Sequence, residues 1–116
     1  WNIQDPFDKA AARLFEQHMR NDKGFGAALG YDGWQRLGHH LTKAGYEVRT
    51  YDSAWHLGPS DAEIQHALLR GYVGAALETD PSLESEIRSW EKRRSTLIES
   101  GQSALTVGHR DVCAVR

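Results

Sequence analysis

His18, Asp22 and Lys23 stand close together where a helical pattern gives way to Gly24, Gly26 and Gly30. An imidazole near neutrality takes, gives or orients a proton, and a carboxylate beside an ammonium can bind polar substrate groups. A helix end running into an ion-pair-capable, glycine-rich loop is therefore a place where a ligand pocket can form. The same residues also serve a plain structural purpose if Asp22 and Lys23 only tie the loop down. The glycines do not make a dinucleotide site. That fingerprint follows a buried strand and spaces its glycines G-x-G-x-x-G, whereas here a polar helix end precedes the run and the third glycine falls one residue late.

Other chemically suggestive groups have plainer readings. His109-Arg110-Asp111 has the letters of a kinase catalytic triplet, but Arg116 stands where the metal-binding Asn would fall. Strand-borne polar residues at an edge or bulge are the expectation there. The six histidines include no H-x-x-x-H or H-E-x-x-H pair, so no metal site is expected. Lys92-Arg93-Arg94 follows Glu84 and Arg88 on a helical pattern, and a solvated face is the expectation.

The elements that must position these groups are well punctuated. Asp5-Pro6 reads as a cap with proline at the first helical position, and Phe7, Ala11, Leu14, Phe15 and His18 recur at helical spacing to about Arg20. Residues 21–30 form a loop. A second helix from about Asp32 carries Trp34, Leu37 and Leu41 and stops at Gly45; Gly38 in its interior points to close packing. Tyr46–Tyr51 alternates as a strand, and 52–57 reads as irregular. Ser60-Asp61-Ala62-Glu63 predicts a capping box for a third helix, with Ile64, Ala67, Leu68, Gly71, Tyr72 and Ala75 as its apolar stripe. Asp80-Pro81 opens a fourth, with Ile87, Trp90, Leu97 and Ile98 inward and Gly101 closing it. Ala104–Val107 is a strand that continues or bulges at Gly108 towards Val115. The expectation is an α/β chain, rich in helix, with four helices and two strands. It divides into a helical cap over 5–30, a helix–strand unit over 31–57, a helix pair over 60–101 and a terminal strand over 103–115.

Composition limits what such a chain does. Its 116 residues suit one domain, with 40% hydrophobic and 26% charged residues and a net charge of −2. A field this balanced does not hold nucleic-acid backbones or anionic membranes nonspecifically. The one cysteine, Cys113, excludes an intrachain disulfide and points to a reducing cytoplasm. The opening Trp1-Asn2-Ile3-Gln4 has neither an initiator Met nor a signal pattern, which suggests a fragment.

Phe15-Glu16-Gln17-His18-Met19-Arg20-Asn21-Asp22-Lys23-Gly24-Phe25-Gly26-Ala27-Ala28-Leu29-Gly30 resembles the F-x-x-H-x-x-x-DKGFG-x-ALG segment of a group of bacterial class I S-adenosylmethionine-dependent methyltransferases. Gly45-Tyr46-Glu47-Val48, Ser53-Ala54-Trp55-His56-Leu57 and Val107-Gly108-His109-Arg110-Asp111 follow in the order of that family's GY-x-V, S-x-W-x-L and VGH-x-D motifs. The similarity runs from about Trp1 to Val115. Met19, Asn21, Ala27 and Cys113 depart from the residues common there.

The resemblance implies the C-terminal part of a Rossmann-like methyltransferase, with Tyr46–Tyr51 the penultimate strand and Ala104–Val115 the antiparallel last one. It implies a helix pair inserted between them and a helical cap, ending at Arg20, beside the substrate pocket. The S-adenosylmethionine cradle would lie upstream, so no cofactor-binding residue is expected in this chain. His18 is implied as the catalytic, acceptor-orienting group, and Asp22, Lys23, Phe25 and Trp55 as substrate-binding. Methyl transfer is an in-line displacement that gains chiefly from alignment. On this reading the chain alone is inactive, and its exposed strands pair it into a homodimer or higher oligomer. The alternative is a non-enzymatic helical binding or dimerisation module with Trp34, Tyr72 and Trp90 at its interface.

Overall fold

Helix α1 (Asp8–Arg20) begins the fold, and its apolar stripe packs on α3 (Ala62–Thr79), against which α4 (Glu84–Glu99) also packs, in a computed structural model that describes residues 1–116. Ala11 and Leu14 meet Leu69, Val73 and Ala76 of α3 and Ile87, Trp90 and Ile98 of α4. Trp90 is wholly buried, with Trp1 edge-on at 5.7 Å and Phe7 at 6.2 Å between ring centroids. It is therefore core, and the expectation that it forms an interface is corrected.

The α1–α4 contact is fastened by charge. Asp8 Oδ1 accepts from Trp90 Nε1 at 2.9 Å and Arg94 Nε at 3.1 Å, while Oδ2 accepts from the Asp5 backbone N–H at 2.9 Å and from Arg94 Nη2. Arg94 also donates to the Ile3 carbonyl at 2.7 Å and lies 4.9 Å over the Trp1 ring. Arg93 makes a bidentate pair with Asp5. The basic run is thus not simply a solvated face. Arg94 is fully buried because its ion-pair partner sits at the start of the chain, beyond the reach of any local spacing rule.

Four strands form two small antiparallel sheets, so the chain is α/β. β1 (Glu47–Asp52) pairs with β4 (Arg110–Val115), and β2 (Trp55–Leu57) with β3 (Leu105–Val107). Both pairings share one register: Asp52 faces Arg110, Trp55 faces Val107, and Ser53 N–H donates to the His109 carbonyl between them. They make one ribbon with a break. Residues 55–57, expected to be irregular, are strand; the Asp52 side chain caps the Ala54 N–H at 3.1 Å and interrupts the ladder without shifting it.

A buried amide anchors the ribbon's base. Gln65 Nε2 donates to the carbonyls of Gly58 (2.8 Å) and Ser103 (3.1 Å), and its Oε1 accepts from Ser103 Oγ at 2.6 Å. Asn2 pairs with Ala104 beside it. The third helix enters differently from the predicted Ser60 box: Asp61 accepts from the Gly58 N–H at 2.8 Å across a 3-10 turn over Pro59–Asp61.

Helix α2 (Gly33–Lys43) lies on one face of the ribbon. A Cβ built on Gly38 would come within 3.6 Å of Val48 Cγ1, which is the close approach its lack of side chain suggests. Gly45, at φ +87°, turns the chain into β1. The opposite face, bearing Glu47, Arg49, Tyr51, Asp111, Cys113 and Val115, is bare, and both outer edges are unpaired. All buried residues belong to the three-helix core or to Ser103–Leu105. The radius of gyration is accordingly 16.9 Å, against about 13 Å for a compact domain of this length.

Arg93, above all, holds the Asp5 carboxyl down from 3.8 to about 2. Burial pushes Asp8 up, but the Asp5 N–H, Arg94 and Trp90 outweigh it and leave that carboxyl below its ordinary value. Both groups therefore stabilise the fold fully above about pH 4 and lose that contribution as pH falls through their folded values. The melting temperature should drop steeply between about pH 4 and pH 2. Asp8→Ala, which leaves Arg94 buried without its partner, should cost about 3–5 kcal/mol at pH 7 by denaturant unfolding; a loss under about 1 kcal/mol would show that the pair is not a fastening.

Candidate functional site

His18 lies in the last turn of α1, facing the last turn of α3. Its Nε2 is 2.8 Å from Glu78 Oε2, with the ring largely covered and the carboxylate exposed. Nearby, Thr79 Oγ1 reaches the Leu14 carbonyl at 3.3 Å, so α3 ends against α1. A carboxylate on one ring nitrogen orients the imidazole; with the proton on Nε2, Nδ1 keeps a lone pair that can accept a proton or hydrogen bond. Glu78 was not legible from the sequence, since nothing local marks a partner sixty residues away.

Asp22 works on the loop itself. Its Oδ1 accepts from the N–H of Gly24 at 2.7 Å and of Gly26 at 2.9 Å, and these two donors, Gly24 first, hold its carboxyl below the ordinary value. Gly24 and Gly26 have φ of +103° and +89°, which side chains resist. Phe25 between them is fully exposed. Arg20 closes the loop's base, bridging Glu16 at 3.1 Å and Asp32 at 3.0 Å while its carbonyl accepts from Ala28 N–H. Gly30, at φ +57°, packs on Arg20, where a Cβ would come within 3.1 Å of Cγ. Asp22 and Lys23 thus do not rely on pairing with each other. Of the two sequence readings, the structure gives Asp22 the loop-holding role.

Trp55 is half exposed, its ring tilted on His109 at 4.5 Å. With Phe15 and Tyr72, themselves stacked at 4.2 Å, it walls an apolar concavity of about 390 Å³. Burial, first, and Tyr31 push the Tyr72 pKa up to about 12, so its hydroxyl keeps its proton near neutrality. His18 is one turn beyond Phe15 but does not line this space, and neither do Asp22, Lys23 and Phe25. The five sequence candidates therefore occupy three places: the His18–Glu78 pair, the Asp22-held loop, and the Trp55 wall.

A glycine-rich nucleotide turn follows a strand and opens a helix. Here the loop follows a helix, and the N–H groups of Gly24 and Gly26 already belong to Asp22.

Asp22→Ala should leave the melting temperature unchanged while amide exchange at Gly24 and Gly26 accelerates markedly, because only the loop loses its acceptor. Unchanged exchange at both would mean that the glycines alone set the conformation. The chain matches no protein-family model, no curated protein and no solved structure, so the ordered motifs and the geometry carry its functional reading.

Proposed function

We propose that this chain is the C-terminal part of a class I S-adenosylmethionine-dependent methyltransferase, supplying a substrate-side cap and the last two strands of its sheet. The observation that carries this reading is the strand pairing. The strand after Gly45-Tyr46 runs antiparallel to the strand after Val107-Gly108-His109, and α3 and α4 lie between them in sequence. That is the arrangement the ordered motifs imply. A ribbon covered by helix on one face, with its other face and edges bare, suits the end of a sheet that in a doubly wound fold has helices on both sides.

In this reading His18, oriented by Glu78, is the acceptor-orienting group through Nδ1. The Asp22-held loop presents Lys23 and Phe25 towards the acceptor, and Trp55 supplies an apolar wall. We assign the cytoplasm as its setting, consistent with the lone unpaired Cys113; no helix is long and apolar enough to cross a membrane. The alternative binding module loses Trp90 to the core, and its Trp34 and Tyr72 are only half-exposed, Tyr72 packing against the core as well.

In the full-length parent, Asp22→Ala and Lys23→Ala should reduce methyl-transfer turnover about tenfold or more while cofactor affinity changes little. Calorimetry on the 116-residue chain alone should show no S-adenosylmethionine binding at about millimolar ligand. Full turnover in both variants, or micromolar binding by the isolated chain, would overturn the assignment.

The isolated chain should also self-associate. Exposed Tyr51 and Val115 share the bare ribbon face, and the β1 and β4 edges offer unpaired backbone groups to another copy. Sedimentation equilibrium over a hundredfold concentration range should reveal a homodimer or larger species; 13.0 kDa throughout would refute it.

A further inference from the structure

Helix α3 is apolar on two sides, and the core uses only one. Leu69, Val73 and Ala76, with Gln65, face α1 and α4. Of the apolar stripe expected from the sequence, Ala75 is buried, while Ile64, Ala67, Leu68, Gly71 and Tyr72 floor the concavity walled by Phe15 and Trp55. Ile64 and Trp55 remain 45% and 51% exposed. An apolar second stripe on a helix normally lies against something.

Size and lining identify what fits. About 390 Å³ falls in the range of small-ligand sites, about 300–1,000 Å³. Seven lining residues are far short of the 20–30 a side that a stable protein interface commonly uses. None of the lining residues carries a formal charge, so an ionised ligand would lose hydration without gaining a counter-charge. The walls are rings held by other rings: Phe15 on Tyr72 at 19°, and Trp55 on His109 at 34°, with His109 Nδ1 3.2 Å from the Val107 carbonyl. Fixed ring faces favour offset or edge-on partners of the same kind. Gly71 leaves the floor open, since a Cβ there would meet nothing within 4 Å.

We propose that this concavity binds a small, uncharged aromatic compound, lying against Gly71 between Trp55 and the Phe15–Tyr72 stack. The concavity shares Trp55 with the acceptor site proposed above, but ring binding there needs no cofactor, so the chain alone suffices to test it.

The probe is 2-naphthol, followed by nitrogen-15 NMR of the chain. Saturable shifts are expected at the Leu68 and Gly71 amides and the Trp55 indole N–H, with a dissociation constant below about 1 mM. The naphthalene-2-carboxylate anion and cyclohexanol should each bind about tenfold more weakly or worse, the first for its charge and the second for its lack of a ring face. Gly71→Leu fills the floor while improving helix propensity, so it should fold normally and weaken binding about tenfold or more. Trp55→Leu, at a half-exposed site, should weaken it similarly, and Gly74→Ala, outside the concavity, should not. Several results would overturn the proposal: no saturation, equal affinity for the carboxylate or cyclohexanol, or unchanged affinity in both Gly71→Leu and Trp55→Leu. A concentration-dependent dimer that buries Trp55 and is not displaced by naphthol would assign the face to a second copy and overturn it too.

Discussion

The buried pair between Asp8 and Arg94 is the constraint on which the rest of the structure depends. One carboxylate gathers the Asp5 N–H, the Trp90 indole and two guanidinium nitrogens, and the same guanidinium reaches Ile3 and lies over Trp1. Burying two charges contributes little net stability when compared with a well-packed apolar pair. What it supplies here is registry. With Asp8 tied to α4, α1 has one rotation and one height against α3, which sets Phe15 on Tyr72 and His18 beside Glu78. A slip of one residue turns a helix by about 100° and separates both contacts at once.

That dependence explains which parts of the fold were legible in the sequence. The α1 stripe was readable because its core contacts repeat with the helical period, and Gly45 because only the backbone conformation matters there. Helix α3 misled for a physical reason: it has two apolar faces, and the buried one contains Gln65, a residue type that counts as polar. Gln65 is inside because Gly58 and Ser103 satisfy its amide from segments distant in sequence. Arg94 misled similarly, since its local neighbours suggested solvent and its true partner lies 86 residues earlier. Of the site, the glycine loop and its carboxylate were visible as a local pattern. The His18–Glu78 pair and the enclosure of Trp55 were not, because both depend on helix docking.

The ribbon obeys a different logic from the core. Two strands in water form a marginal sheet, and this pair has only α2 on one face. Its base is pinned by the Gln65–Ser103 pairing and by Asn2 against Ala104. Further out, Arg110 bridges to Asp52 at 3.4 Å and lies over the Trp34 ring at 5.9 Å, both exposed contacts of modest worth. Stability should therefore decrease from base to tip. The break at Ser53–Ala54 divides the part pinned to the helical core from the part carried by α2, while the common register keeps the two one ribbon.

The distribution of unused interactions is informative about function. The charged groups that first suggest chemistry are mostly committed: Asp22 to two glycine N–H groups, Arg20 to Glu16 and Asp32, Asp8 and Arg94 to each other. Among them His18 retains chemical capacity, because Glu78 engages just one of its nitrogens. Several large exposed groups are apolar instead: Phe25 at the loop tip, Trp55 and Ile64 around the concavity. Apolar surface carries about 25 cal/mol per Å² when buried, without the desolvation cost that a charge incurs. In the function proposed above, the apolar groups would supply affinity and His18 Nδ1 would orient the acceptor, with the Asp8–Arg94 fastening fixing the helix that carries His18.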